Sequence, residues 1–239
     1  MTSISGVRVE VDPAARVGLL ILDRPPVNAL DTAAFAAATA GLAQLCGDDR
    51  VGAIVVTGAG ERCFCAGTDL ATFTPTEFGP VARASAEFFA ALAACELPLL
   101  GAINGPAVGG GAMIASECDV LVAVPNAWFA VPEVPAHGLL GGGSHLRRLA
   151  PYFKAMRMLL LGERLVAAEA LAFGTLESVV EPAALRAHAL EQASRLAALA
   201  PIPARAARQI FRRHESDLAS SGYRDEQRVL GEVVSARSA

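Results

Sequence analysis

The chain has 239 residues, of which 53% are hydrophobic and 18% charged, with a formal net charge of −4. That balance excludes an intrinsically disordered chain and leaves no electrostatic case for nucleic acid as a partner. The length suits one domain with an appendage, and Gly, Pro or charge breaks every apolar stretch before it reaches a bilayer's thickness, so no membrane is expected.

In chain order, residues 7–11 and 17–22 are apolar and β-branched and flank Asp12-Pro13, which predicts a hairpin. Residues 32–46 are alanine-rich with apolar residues at helical spacing, and Asp31 or Thr32 supplies an N-cap. Residues 53–57 form a short apolar run ending at Gly58, as in a strand buried on both faces. A looser stretch over 71–79, bearing Pro75, precedes a helix over 81–95. Residues 99–103 read as the next buried strand, 110–118 as a helix and 120–124 as a strand. Strands alternating with helices indicate an α/β fold. From Leu149 the pattern turns almost wholly helical, with helices at 152–161, 167–173, 183–199 and 202–214. A break at 220–222 and a frayed end at 235–239 finish the chain. No internal repeat is visible at the level of sequence.

Residues 1–10 lack the basic start and apolar core of a signal peptide. Cys46, Cys63, Cys65, Cys95 and Cys118 are odd in number in a chain too long to need stapling, which fits reduced thiols in the cytoplasm. Cys63 and Cys65 form a C-x-C with no matching second pair, so zinc is not expected. Lys154 is the only lysine, which leaves phosphate contacts to arginine or backbone.

Two glycine segments carry most of the information. The first is Cys63-Phe64-Cys65-Ala66-Gly67-Thr68-Asp69-Leu70, and the second is Ile103-Asn104-Gly105-Pro106-Ala107-Val108-Gly109-Gly110-Gly111. Each follows an apolar run and precedes a helical pattern, a context in which bare backbone N–H groups point at something negative. Pro132-Glu133 then supplies a carboxylate within an apolar segment, where burial raises a carboxyl pKa toward the range a general acid/base needs.

These blocks resemble those of the crotonase superfamily, the enoyl-CoA hydratase/isomerase family. The first segment is similar to its F-x-A-G-x-D-L block and the second to its N-G-x-A-x-G-G-G block. Arg24-Pro25-Pro26-Val27-Asn28-Ala29-Leu30 resembles the opening R-P-x-x-N-A-L block, and Phe129-Ala130-Val131-Pro132-Glu133 resembles F-x-x-P-E. The match runs from about residue 7 to about residue 182. It implies a crotonase-like spiral of ββα units over residues 1–182 and a C-terminal helical oligomerisation region over 183–239, building a homo-trimer or hexamer.

The resemblance also implies the chemistry, that of acyl-CoA thioesters in fatty acid metabolism. Negative charge builds on the thioester oxygen as an enolate forms, and an oxyanion hole of two N–H donors stabilises it. By the resemblance those donors are the backbone N–H groups of Thr68 and Gly110, and Glu133 is the catalytic acid/base. Ala66 lies near the adenine and pantetheine, and Arg24 and Asn28 in the loop near the CoA nucleotide. By the resemblance residues 65–70 also form a ligand wall, which puts Asp69 among the substrate-binding residues. Read without the family, the Arg24–Asn28 loop is turn chemistry, and Asp69 caps or braces the helix that follows. No metal and no cofactor are expected, since coenzyme A arrives as part of the substrate. The glycine run is not G-x-G-x-x-G and there is no P-loop lysine.

One position departs from the hydratase pattern. Family hydratases hold water with two glutamates, and the first of those positions is Met113 here, which neither accepts a proton nor orients water. Glu117 lies a helical turn further on, at a spacing that better suits a salt bridge or cap. A single glutamate is what the family's Δ3-Δ2 enoyl-CoA isomerases use, so an isomerase-like activity is expected, with hydration or a catalytically weak acyl-CoA-binding subunit as alternatives. A methionine beside the acyl chain excludes water and favours proton shuttling, so Met113 counts among the binding residues. His137, four residues after Glu133, joins them as a residue that titrates near neutrality, although a surface role outweighs a catalytic one. His145 reads as structural, with Ser144 as a possible N-cap, and Arg205, Arg208, Arg212 and Arg213 read as a solvated helix face rather than a phosphate site.

Overall fold

The computed structural model describes residues 2–199, 201–212, 228–229 and 231. β1 (Thr2–Ile4), β2 (Val7–Asp12) and β3 (Val17–Leu22) form an antiparallel meander. The Asp12 carboxylate accepts from the N–H groups of Ala14 (3.1 Å) and Ala15 (3.0 Å), which turns the expected hairpin. β3 continues in parallel with β4 (Ala53–Gly58), β5 (Leu99–Ile103), β7 (Val120–Ala123) and β10 (Ser178–Val179), completing a seven-stranded sheet. Every residue of β3 and β5 is buried, as parallel strands covered on both faces require.

A second layer, β6 (Ala107–Val108), β8 (Trp128–Ala130) and β9 (Leu165–Val166), collects the segments that follow the main strands. Single bridges Leu30↔Thr68 and Cys65↔Ala107 extend it. Thus β3 is followed by Leu30 and α1 (Thr32–Cys46), β4 by Cys65–Thr68 and α2 (Phe78–Ala94), and β5 by β6 and α3 (Gly110–Ser116). The same main strand, short second strand and helix recur, which is the expected ββα spiral. It is a repeat of shape and not of sequence. The rings of Phe35, Phe64, Phe88 and Phe129 are fully buried in the core. Burying each contributes about 1.5–3 kcal/mol.

Beyond β8 come α4 (Tyr152–Leu161), α5 (Ala167–Ala172), α6 (Pro182–Ala197) and α7 (residues 201–212). α6 lies against β3, β4, β5 and β7. The helix expected over 202–214 is helical through residue 212, and residues 213 and 214 lie outside the described residues, as do 220–222 and 235–239. α1 has the expected bounds, with Asp31 as cap: its carboxylate accepts from the Ala34 N–H at 2.8 Å. α2 starts at Phe78 rather than at 81, because Pro80 falls in the first turn, where its missing N–H costs nothing. The stretch before it is a 3₁₀ turn, Leu70–Thr72, capped by Asp69. The His145 segment is also a 3₁₀ turn, Gly143–Arg148, entered from Gly142; Ser144 does not cap it but hydrogen-bonds the His145 ring through Oγ and Nδ1 at 3.0 Å.

Candidate active site

The opening block, the first glycine segment and the second are laced together by backbone. The Leu30 N–H donates to Gly67 O (2.8 Å) and the Asp69 N–H to Leu30 O (2.9 Å), while the Val108 N–H donates to Cys65 O (2.9 Å). Residues flanking Thr68 make the bridge to Leu30, so the Thr68 N–H points to the opposite side. Gly67 turns the chain with φ +86°, and a Cβ there would stand 2.8 Å from both Gly110 N and Val108 O. A Cβ on Gly110 would stand 3.5 Å from Thr68 N. The N–H groups of Thr68 and Gly110 therefore share one wall. Gly110 opens α3, where the first N–H groups have no intrahelical acceptor.

That wall belongs to a cavity of about 110 Å³ whose lining includes Thr68, Gly110, Met113, Phe89, Glu133 and His137. Ala66 lines it too. Glu133 begins a five-residue π-turn, Glu133–His137, closed by the Gly138 N–H on Val134 O (2.9 Å) and the Leu139 N–H on Glu133 O (3.0 Å). Wide turns of this kind are often found at functional sites. The half-buried carboxylate leans over Gly109 (φ +54°) so closely that a Cβ there would collide with Oε1. His137 closes the same turn at the exposed rim of the cavity. Met113 is buried one turn along α3 from Gly110, on the same face.

Arg24, Asn28 and Asp69 do not line the cavity. The Arg24 guanidinium pairs with Asp31 (3.1 Å) and Asp69 (2.9 Å) and donates to Ala29 O (2.9 Å). Asn28 is buried in a left-handed conformation; its Nδ2 donates to Ala59 O (3.1 Å) and Cys63 O (2.9 Å), and its Oδ1 accepts from the Arg24 N–H (3.1 Å). These residues hold the opening block against the first glycine turn.

Glu117 faces away from the cavity and is 3% exposed. It accepts from Arg148 at 2.7 Å and Arg212 at 3.0 Å and pairs with His145 Nε2 at 3.3 Å. Burial pushes its carboxyl up, but the His145 hydrogen bond and the charges of Arg148 and Arg212 outweigh burial and hold it below the ordinary carboxylate range. Arg208 pairs with Asp119 at 2.7 Å, and the Asp119 carboxylate also accepts from the Leu99 N–H at 2.8 Å. Arg208 and Arg212 thus turn inward and do not form the solvated face that their spacing suggests, because two carboxylates at the end of α3 await them. Arg213 lies outside the described residues. The network reaches the cavity through the His145 ring, 5.7 Å from that of Phe89. Phe73, Phe78 and Phe89 also line the cavity; the sequence does not single them out, because an isolated phenylalanine ordinarily marks a core. Larger hollows of about 310 and 650 Å³ lie under α6 and α7, and neither is lined by Glu133, Thr68 or Gly110.

Residues 13–239 match the family described as Enoyl-CoA hydratase/isomerase. The chain is 37% identical over 206 residues to the (E)-benzylidenesuccinyl-CoA hydratase of Thauera aromatica, covering 84% of this chain and 80% of that one. It is 32% identical over 217 residues to the short-chain-enoyl-CoA hydratase of Clostridium acetobutylicum, covering 86% and 81%. Among solved structures, Pseudomonas aeruginosa DspI superposes with a TM-score of 0.83 at 30% identity, covering 99% of this chain and 98% of its own.

Proposed function

The chain belongs to the enoyl-CoA hydratase/isomerase family, enzymes of acyl-CoA thioesters, and on that premise we propose that it moves a proton through a thioester enolate with Glu133 as its single acid/base, as a Δ3-Δ2 enoyl-CoA isomerase does. The thioester oxygen sits between the N–H groups of Thr68 and Gly110, where developing negative charge meets fixed donors; losing one such donor costs about 10²–10³-fold in rate. Glu133 removes a proton from C2 of a 3-enoyl thioester. The dienolate takes the same proton back at C4, leaving the double bond between C2 and C3. Atoms and charge balance without water and without a cofactor beyond the coenzyme A of the substrate.

The observation that carries this reading is Met113. It lines the same cavity as Glu133, while the carboxylate of Glu117, four residues on, is bound by His145, Arg148 and Arg212 away from that cavity. A second reading, hydration of a 2-enoyl thioester, draws on the relatives, which are named as hydratases. It also draws on His137 at the cavity rim. The same proposal sets the protein in the cytoplasm as a homo-trimer or hexamer. Among the described residues no helix is long and apolar enough to cross a membrane.

The deciding experiment is a time course in deuterated water that resolves the 3-hexenoyl-CoA and 2-hexenoyl-CoA isomers by chromatography and detects hydroxyacyl-CoA by mass. Conversion of the 3-enoyl to the 2-enoyl form without hydroxyacyl product is expected. Glu133→Gln should lower that rate by about 10²–10⁴-fold while leaving acyl-CoA binding in place. Hydroxyacyl-CoA as the main product replaces the isomerase reading with the hydratase one. Binding with neither isomerisation nor hydration would reduce the protein to an acyl-CoA-binding subunit.

A further inference from the structure

Two cysteines meet at the surface far from the cavity. Cys46 is the last residue of α1 and is exposed; Cys95 directly follows α2 and is 5% exposed. The helices pack side by side, with the Phe35 and Phe88 rings 6.1 Å apart, so their C-terminal ends arrive together. The two Sγ atoms stand 3.5 Å apart, in hydrogen-bonding contact. Arg208 anchors this corner: its guanidinium donates to Cys95 O and pairs with Asp119. Arg205 and Glu96, themselves paired at 3.4 Å, are the other charged groups that act on Cys46.

The five thiols differ sharply. The hydrogen bond from Cys95, together with the charges of Arg208 and Arg205, brings the Cys46 thiol down to about 7, against burial and the charge of Glu96. The same contact with Cys46 and its own burial push the Cys95 thiol up. Burial pushes Cys63 up to about 11 and Cys65 up to about 12, and raises Cys118 as well. An accessible, readily ionised thiol beside a second thiol is the arrangement of a peroxide-reactive cysteine with its resolving partner.

We propose that Cys46 and Cys95 form a peroxide-responsive pair that closes to a disulfide tying the C-terminal ends of α1 and α2. The Cys46 thiolate attacks a peroxide; an S–O bond forms, the O–O bond breaks, and the departing oxygen takes a proton to leave as water or an alcohol. Cys95 then attacks the Cys46 sulfenic acid. The S–S bond forms, the S–O bond breaks, and the hydroxyl leaves as water with the Cys95 proton. Two thiols are oxidised by two electrons in all, and the peroxide is the species reduced. Closing from 3.5 Å to a bond of about 2.05 Å brings the two sulfur atoms about 1.5 Å nearer to each other. The bond would tie down the C-terminal end of α2, the helix whose Phe78, Val81 and Phe89 line the cavity.

The full chain, treated with stoichiometric hydrogen peroxide near pH 7 and blocked with N-ethylmaleimide, tests this by peptide mapping. A Cys46–Cys95 cross-link reversed by dithiothreitol is expected, with Cys63, Cys65 and Cys118 left to the alkylating agent after denaturation. Cys95→Ser should trap Cys46 as sulfenic or sulfinic acid, and Cys46→Ser, a surface change, should leave Cys95 reduced. Cys46 recovered as a reduced thiol, or overoxidised in the wild-type chain with Cys95 still free, overturns the proposal. The readout is independent of enoyl-CoA turnover, so it stands or falls apart from the function proposed above.

Discussion

Burial works against the Glu117 carboxylate, and the His145 hydrogen bond with the Arg148 and Arg212 guanidinium groups reverses it. Its folded pKa therefore lies below its unfolded value, near 4.5. A group shifted in that direction adds stability above the unfolded value and loses it as pH falls through the folded one. Glu117→Gln leaves two guanidinium groups facing a neutral amide, and breaking a buried pair this way costs about 3–5 kcal/mol. We expect urea denaturation at pH 7 to report a loss near the lower end of that range, with the gap between variant and wild type narrowing below about pH 4. A gap that is the same at pH 7 and pH 3 would mean that folding leaves the pKa of this carboxylate unshifted. The sequence already separates the two positions on α3, since methionine at 113 has no proton chemistry and glutamate at 117 suits a salt bridge. It does not name the partners. Arg148 is 31 residues away and Arg212 is 95 residues away, and only the folded spiral brings them to one carboxylate.

Elements place the two candidate donors. Each comes from a turn held by the second layer, and the turns touch at Gly67 and Gly110. A Cβ at Gly67 would meet backbone on two sides at 2.8 Å, and the φ of +86° adds a strain of roughly 1–2 kcal/mol for any other residue. Gly67→Ala should therefore spread the turns, lowering turnover of an enoyl-CoA by at least about 10²-fold while the protein remains folded by circular dichroism. Wild-type turnover in a folded Gly67→Ala variant would dissociate this turn from the chemistry. The long elements were legible from local pattern: α1, β5 and α4 have the bounds that periodicity predicts. The strands of two or three residues were not. β6, β8, β9 and β10 are too short to carry a period, and their pairing is decided by partners distant in sequence. The π-turn at Glu133 escaped for a related reason, since one wide turn leaves no repeating mark on the sequence.

At the scale of the whole molecule, the helical region from residue 183 begins against the core sheet, because α6 packs on β3, β4, β5 and β7. α7 is tied on by charge: Arg208 and Arg212 reach back to Asp119 and Glu117 and fix which side of the helix faces the core. α7 nevertheless leaves Ile202 82% exposed and Phe211 73% exposed, and α4 leaves Phe153 77% exposed and Leu161 67% exposed. Side chains of this size are each worth about 1.5–3 kcal/mol when covered, and a monomer leaves that free energy unused at four positions on two helices. The homo-oligomer proposed from the resemblance gives them a place to go. Light scattering at micromolar concentration should return a multiple of three times the 24.6 kDa chain. The double variant Phe153→Asp, Phe211→Asp should shift the mass toward one chain while far-ultraviolet circular dichroism stays that of the wild type. A wild-type mass of one chain would refute the assembly and leave these side chains without a physical account. A stable trimer in the double variant would place the interface elsewhere. In both cases the salt bridges of Arg208 and Arg212 would still hold α7 to the core of its own chain.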